Sequence, residues 1–329
     1  MPRRNSLGVQ KGDNASLLLA KYLGDSKSPE DKAKVQKWAM QAVQYCQNAQ
    51  SVYAHAFNRW KNLLPSSADK AVVTTKSGRL IIGLGSDNVL ESGITLQHTY
   101  GVPYIPSSAL KGLSAHYCNT EWGTREPKFR KTGEYYEVIF GTNGNAGHLM
   151  FYDAWLVPAE SPSLKLDVMT PHHSDYYLEK ADFPSDFDSP VPVSFLSVSG
   201  SFLIAVSCDG GGDEGAKWTK LTMRLMQEAL CKYGIGGKTS SGYGRLIVDA
   251  PKTAALQPVD ELKEFKEWFD QNLPNHFDGF NQHHGEIIGA INKLSEDKIR
   301  SAKAYVKEKL RKPAPGLKKF LSVPQGSAQ

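Results

Sequence analysis

Apolar residues at three- and four-residue steps mark the first clear element. Val35, Trp38, Ala39, Ala42, Val43, Cys46 and Ala49 form one stripe and predict a helical region from about Ser28 to Leu64. Ser28 is placed to cap it, Pro29 suits the first helical position, and Glu30 and Asp31 suit its positive end. Pro65 ends the region. Val72 to Leu84 reads as a strand centred on Arg79-Leu80-Ile81-Ile82-Gly83-Leu84. After Pro103 and Pro106, Ser107 or Ser108 can cap a helix running to about Cys118.

Trp122 to Gly133 reads as a basic excursion, and Tyr135 to Phe140 as a short helix or strand. His148 to Trp155 reads as strand, Glu160 to Pro192 as proline-rich loop, and Phe195 to Ser207 as one strand with apolar alternation. Gly210-Gly211-Gly212 is a flexible tip. Lys217 to Lys232 is a helix with Leu221, Leu225, Met226, Ala229 and Leu230 on one face, and Gly234 is placed as its C′ residue. Arg245 to Asp249 is a strand. Helices over Val259 to Asn272 and about Gly285 to Lys312 finish the chain, the last with Ala302, Tyr305, Val306 and Leu310 on a stripe.

The middle of the chain thus reads strand, helix, strand, strand, helix, strand. That order implies an α+β fold with a ferredoxin-like (RRM-type) β-α-β-β-α-β core, long insertions, and added N- and C-terminal helices. The expected divisions are a flexible lead over 1–28, a helical region over 29–65, the core domain with its insertions over 66–255, and helices with a basic tail over 256–329.

Charge refines this picture. The 329 residues carry a formal net charge of +5, which permits a polyanionic partner without requiring one. The tail from Lys298 to Lys319 is strongly basic. The stretch from Glu160 to Asp188 leans acidic, with Asp167, Asp175, Glu179, Asp182, Asp186 and Asp188 against Lys165 and Lys180. One side of the molecule suits nucleic acid, another suits protein. Cys46, Cys118, Cys208 and Cys231 are widely spaced, which argues against a zinc ribbon. No secretory leader and no apolar run of membrane-spanning length is visible, so the expected setting is a reducing cytoplasm.

The chemistry concentrates in Gly234-Ile235-Gly236-Gly237-Lys238-Thr239-Ser240-Ser241-Gly242-Tyr243-Gly244-Arg245. Gly237-Lys238-Thr239 invites a P-loop reading, but the position five residues before Gly237 is Lys232, not glycine. The polarity is also wrong, because this loop leaves a helix and enters a strand. What remains is a run of backbone N–H groups with little side-chain bulk, able to approach an anion. Lys238 and Arg245 add charge, Ser240 and Ser241 add hydroxyls, and Tyr243 offers a stacking face.

This loop resembles the hallmark of the RAMP superfamily, the repeat-associated proteins of CRISPR systems. Four further segments strengthen the resemblance: Arg79 to Gly85; Tyr100 to Gly112; Phe140-Gly141 with Gly147 to Ala154; and Asp167 to His173 with Tyr176-Tyr177 and Pro192 to Leu196. Together they are similar to the sixth-subunit family of type III-B (Cmr) effector complexes, over roughly Val72 to Asp249. Ser107 stands where that family usually carries glycine.

The resemblance implies a non-catalytic RNA-binding subunit in antiviral defence, capping the RAMP filament near the 3′ end of the guide RNA. Its partners would be guide RNA, possibly target RNA, and other RAMP, backbone, small helical and cap subunits. No membrane, metal, cofactor or catalytic residue is expected. The candidate RNA contacts are Arg79, Lys111, His172, Gly236, Gly237, Lys238, Ser241, Tyr243 and Arg245. The competing reading is a RAMP-type, metal-independent endoribonuclease that processes guide RNA, with His172 and either Tyr176 or Lys238 as its reactive groups. Adjacent His172 and His173 point in opposite directions on an extended chain and suit one metal poorly; a composite site would have to draw on His98, His116 or His148. The His283-His284 pair reads as solvated loop; Asp87 and Asp153 are weak catalytic candidates, and Asp153, which follows a strand, reads as the cap of a turn.

Overall fold

A computed structural model describes residues 13–21, 29–75, 78–85, 93–159, 161, 163–170, 172–186, 190, 192–256, 261–272, 280–294, 296–309 and 320–322. The chain divides into a unit ending at Leu256 and a second unit from Gln257 to Gln329.

The first unit opens with α1 (Ala15–Lys21), α2 (Pro29–Cys46) and α3 (Val52–Leu63). Helix α1 lies inside the stretch expected to be a flexible lead. Its Leu18 and Leu19 are buried, and apolar burial of that kind holds a short helix in place. The single helical region expected over 28–64 is two helices, because the backbone turns at 47–51 and Ser51 caps α3 by accepting from Ala54 N–H. The cap expected of Ser28 lies outside the described residues.

There follow β1 (Asp69–Thr75), β2 (Tyr104–Ile105), α4 (Ser107–Tyr117), α5 (Gly123–Arg125) and α6 (Glu134–Phe140). A π-helical turn, Cys118–Trp122, joins α4 to α5. Next are β3 (Leu149–Phe151), β4 (Ala154–Leu156), β5 (Leu164–Met169), α7 (Ser174–Tyr177), β6 (Val193–Val198), β7 (Ser201–Cys208), α8 (Gly212–Lys232), β8 (Leu246–Val248) and α9 (Ala250–Ala254). The principal sheet is antiparallel with strand order β2-β4-β7-β1-β8, and β3 also pairs with β7. Strands β5 and β6 form a separate two-stranded sheet. Helices α4 and α8 pack on each other and on the principal sheet, burying Leu110, Tyr117, Leu225, Met226, Ala229 and Leu230 against Val73, Phe202 and Ile204.

Several strand expectations are corrected. The first strand is Asp69–Thr75, and Arg79 to Leu84 is not part of a sheet ladder. Its backbone groups are spent elsewhere: Leu80 exchanges two 2.7 Å bonds with Val198, while the carbonyls of Arg79 and Ile81 accept from the glycine loop. The strand expected over 195–207 breaks at Ser199-Gly200, where Gly200 has φ +144°, and its halves join different sheets. The proline-rich stretch contains strand β5 and helix α7. Gly212 begins α8 rather than ending a flexible tip. Helix α4 is capped from outside: Pro106 holds the cap position, and Asp153 Oδ1 accepts the Ser107 N–H at 2.7 Å.

The second unit contains α10 (Glu261–Asn272), α11 (Phe280–Asn292) and α12 (Glu296–Lys309). Phe265, Phe269, Ile287, Ile291, Ala302 and Val306 form its core. Ala302, Tyr305 and Val306 of the stripe on α12 therefore pack within this unit, and Leu310 lies outside the described residues. Tyr305 donates to Asp270 at 2.8 Å.

Candidate nucleic-acid interface

The glycine loop begins where α8 must stop. Tyr233 is the last αR residue, and Gly234 reverses the chain at φ +79° while its N–H still reaches the Ala229 carbonyl at 3.1 Å. That is the C′ role expected from the sequence. The loop then divides into two halves with different chemistry.

The inner half is wedged onto Arg79-Leu80-Ile81. Gly237 N–H donates to Ile81 O at 2.7 Å, Gly244 N–H to Arg79 O at 2.8 Å, and Ile235 N–H to Gly244 O at 2.9 Å. A Cβ on Gly236 would lie 2.0 Å from Ile81 O, and one on Gly244 would lie 2.0 Å from Ile235 O. Both residues also have positive φ, +87° and +73°. These glycines are required by backbone contact and chain direction together.

The outer half, Lys238 to Gly242, is a left-handed residue followed by one 3₁₀ turn. Lys238 has φ +55° and is exposed, and Thr239–Ser241 form the turn. The N–H groups of Ser241, Gly242 and Tyr243 bond back to Lys238 and Thr239 carbonyls. The amides of Gly236, Lys238, Thr239 and Ser240 have no protein acceptor among the described residues. The sequence suggested a long run of free amides. The structure narrows it to these four and commits Gly237 to Ile81.

Asp167 is the residue that sequence reasoning missed. It sits on β5, opposite Phe195 of β6. Its carboxylate pairs with Arg79 Nη2 at 2.8 Å and also accepts from the Tyr243 hydroxyl. The Tyr243 ring meets Phe195 edge-on, with centroids 6.2 Å apart. Burial and then the Asp167 carboxylate raise the Tyr243 phenol above its ordinary value. One carboxylate therefore ties the two-stranded sheet, the Arg79 segment and the glycine loop together. Arg79 is half-buried with its charge already partnered, and Tyr243 is held by its hydroxyl. Both have less freedom to meet RNA than the sequence implied.

Arg245 lies just past the loop, with Nη1 at 3.4 Å from the Cys231 carbonyl near the C-terminus of α8, where a cation is favoured. Ser241 is exposed. The structure thus brings Arg79, Gly236, Gly237, Lys238, Ser241, Tyr243 and Arg245 into one loop and its bed. Lys111 is half-buried on α4, and His172 is exposed beyond the end of β5 beside His173, with ring centroids 6.4 Å apart. Among the described residues neither of them has a hydrogen bond, ion pair or ring contact to the loop. His148 pairs with Asp209 at 3.0 Å, and Asp153 caps α4 as described above. Asp87 lies outside the described residues. Among the described residues no group of three or more His, Cys, Asp or Glu side chains could hold a metal ion, and no helix is long and apolar enough to cross a membrane.

Residues 72–247 match the RAMP superfamily, a span that contains every candidate contact. The chain is 30% identical over 261 residues to the CRISPR system Cmr subunit Cmr6 of Pyrococcus furiosus, covering 62% of this chain and 75% of that protein. It is 27% identical over 197 residues to the corresponding Cmr6 of Saccharolobus solfataricus, covering 57% of this chain and 61% of that one. Among solved structures, a chain of the type III-B Cmr-beta complex bound to cognate target RNA aligns with a TM-score of 0.49 at 22% identity, over 69% of this chain and 76% of that chain. The crystal structure of Cmr6 from Pyrococcus furiosus aligns with a TM-score of 0.35 at 32% identity, over 55% of this chain and 97% of that one.

Proposed function

Because the chain belongs to the RAMP superfamily, and within it to the family of CRISPR Cmr6 subunits, we propose that it is a non-catalytic, RNA-binding subunit of a type III-B Cmr effector complex. In this reading it caps the RAMP filament near the 3′ end of the guide RNA, in the cytoplasm. It contacts guide RNA and neighbouring subunits, and supports target binding in antiviral defence. The described core is read as ferredoxin-like: β1, α4, β3 with β4, β7, α8 and β8 follow one another as β-α-β-β-α-β. Their antiparallel pairing, with β1 between β7 and β8, supports this reading.

The outer half of the glycine loop carries the proposal. Lys238 is exposed in a left-handed conformation amid four amides with no protein acceptor among the described residues, with Ser241 beside it and Arg245 at the loop's exit. Amides, a hydroxyl and two cations with little side-chain bulk are suited to phosphate oxygens. Such contacts position RNA without reading its sequence. Lys111 and His172 would be separate contacts along the strand.

The proposal is tested by isolating the tagged chain from cells that also express the other Cmr proteins and a repeat array. The expected result is co-isolation of the Cmr proteins with a small RNA of uniform 5′ sequence. Incubating the purified chain with labelled repeat RNA should leave the RNA intact. Metal-independent cleavage at a defined position, lost on His172→Ala, would replace this reading with the nuclease one.

A further inference from the structure

The two faces of the β5–β6 sheet are used unequally. On one face Asp167 and Phe195 grip Tyr243 and Arg79. On the other, Leu196 is buried and Ser194 exchanges hydrogen bonds with Gln36 of α2. Leu166 pairs directly with Leu196 and Val168 with Ser194, so all four share that second face. Yet Leu166 and Val168 are exposed. Helix α2 packs against this hairpin, where Leu164 of β5 is buried with Leu196 of β6, and leaves Leu166 and Val168 uncovered further along β5. The connection to β6 adds Tyr176, Tyr177, Leu178 and Phe183, with Tyr177 at 69% and Phe183 at 74% exposure. Six large apolar side chains left in water on one hairpin and its connection mark a contact surface.

The charge of this surface selects its occupant. In sequence the connection carries Asp175, Glu179, Asp182, Asp186 and Asp188 against Lys180. Such a segment repels phosphate, and it lies on the same hairpin whose opposite face abuts the basic loop. We infer that the β5–β6 hairpin and its connection form a docking surface for a protein, namely a neighbouring subunit that presents basic side chains around an apolar recess. The surface separates the chain's two partners: the glycine loop, with His172 just past the end of β5, meets RNA, and the acidic, apolar stretch from Tyr176 onward, with Leu166 and Val168, meets protein. Tyr177 and Phe183 are the anchors that fill the recess, and Glu179 and Asp182 set orientation and encounter rate.

This inference rests on the proposed membership of a Cmr complex, and the test keeps the two apart. The full chain is co-expressed with the other Cmr proteins, the RNA is digested, and the retained proteins are quantified. Binding of a labelled single-stranded RNA by the chain alone is measured in parallel. In Tyr177→Ser/Phe183→Ser, protein retention should fall by about tenfold or more, the loss typical of an interface hot spot. In Glu179→Lys/Asp182→Lys it should also fall, while RNA affinity stays within about twofold of the unsubstituted chain because rim charges act on protein encounter. Unchanged protein retention in both folded variants would overturn the inference. A parallel loss of RNA affinity in Tyr177→Ser/Phe183→Ser would overturn it in favour of an RNA-contacting hairpin. If the unsubstituted chain retains no Cmr protein, the proposed function itself fails.

Discussion

The inner and outer halves of the glycine loop differ in composition and in purpose, for the outer half, Lys238 to Gly242, holds one glycine and the inner half holds the rest. On the inner side, Gly236 and Gly244 lie where a single methyl group would strike a backbone carbonyl at 2.0 Å. On the outer side, Gly242 has nothing within 4 Å of where its Cβ would be, although its φ is +89°. The inner glycines let two backbones touch. The outer glycine only lets the chain turn, leaving Lys238 and its neighbouring amides facing solvent. A glycine-rich loop is therefore not uniformly a ligand cradle. Here half of it is the cradle's mounting.

Substitution separates the two halves most sharply. Gly236→Ala should cost roughly 3 kcal/mol or more, because the methyl must displace Ile81 O and the residue is strained at positive φ. A drop in thermal midpoint of several degrees would register it. Asp167→Asn should cost about 1–2 kcal/mol by removing the charge that holds Arg79 and Tyr243. Faster hydrogen exchange at the amides of Gly237 and Gly244 would report the loosened bed. Gly242→Ala should cost only about 1 kcal/mol, the usual penalty for a left-handed non-glycine residue, since its Cβ meets open space. If Gly242→Ala is as damaging as Gly236→Ala, the division of the loop is wrong.

The smallest effect is a titration. The folded Tyr243 phenol is raised, so folding stabilises its protonated form. That contribution is fully present below the ordinary phenol value near 10 and is lost as pH rises through the folded value. Ultraviolet difference titration should place Tyr243 in a late-ionising group that also holds Tyr53, Tyr104, Tyr136 and Tyr305. Asp167→Asn should return Tyr243 toward the exposed tyrosines, because the carboxylate raises it by hydrogen bond and by charge.

Much of this was readable in the chain. The stripe ending at Leu230 gives α8, and Gly234 marks its end. The helix-to-strand polarity that excludes a P-loop is what the structure shows. What was hidden was hidden for physical reasons. Strand β5 alternates from Leu164 through Lys165, Leu166 and Asp167 to Val168, but the prolines around it disguised the segment as loop. Arg79 to Leu84 has strand composition, yet its hydrogen bonds go to the glycine loop and Val198 instead of a ladder. Asp167 looked like one more member of an acidic belt. Its partners Arg79 and Tyr243 are 88 and 76 residues away in sequence, from the difference in their numbers, and only the fold brings them to one carboxylate. Asp153, read as a turn residue, caps a helix that begins 46 residues earlier.

The central claim is that the outer half of the loop meets RNA phosphates. The most direct measurement is the salt dependence of RNA binding by the assembled complex, carrying either the unsubstituted chain or Lys238→Ala/Arg245→Ala. Loss of two phosphate contacts should weaken binding and lower the slope of log K against log salt by about 1.4 for single-stranded RNA. A folded, assembled variant with unchanged affinity and slope would contradict the claim and leave the loop a purely structural joint between α8 and β8.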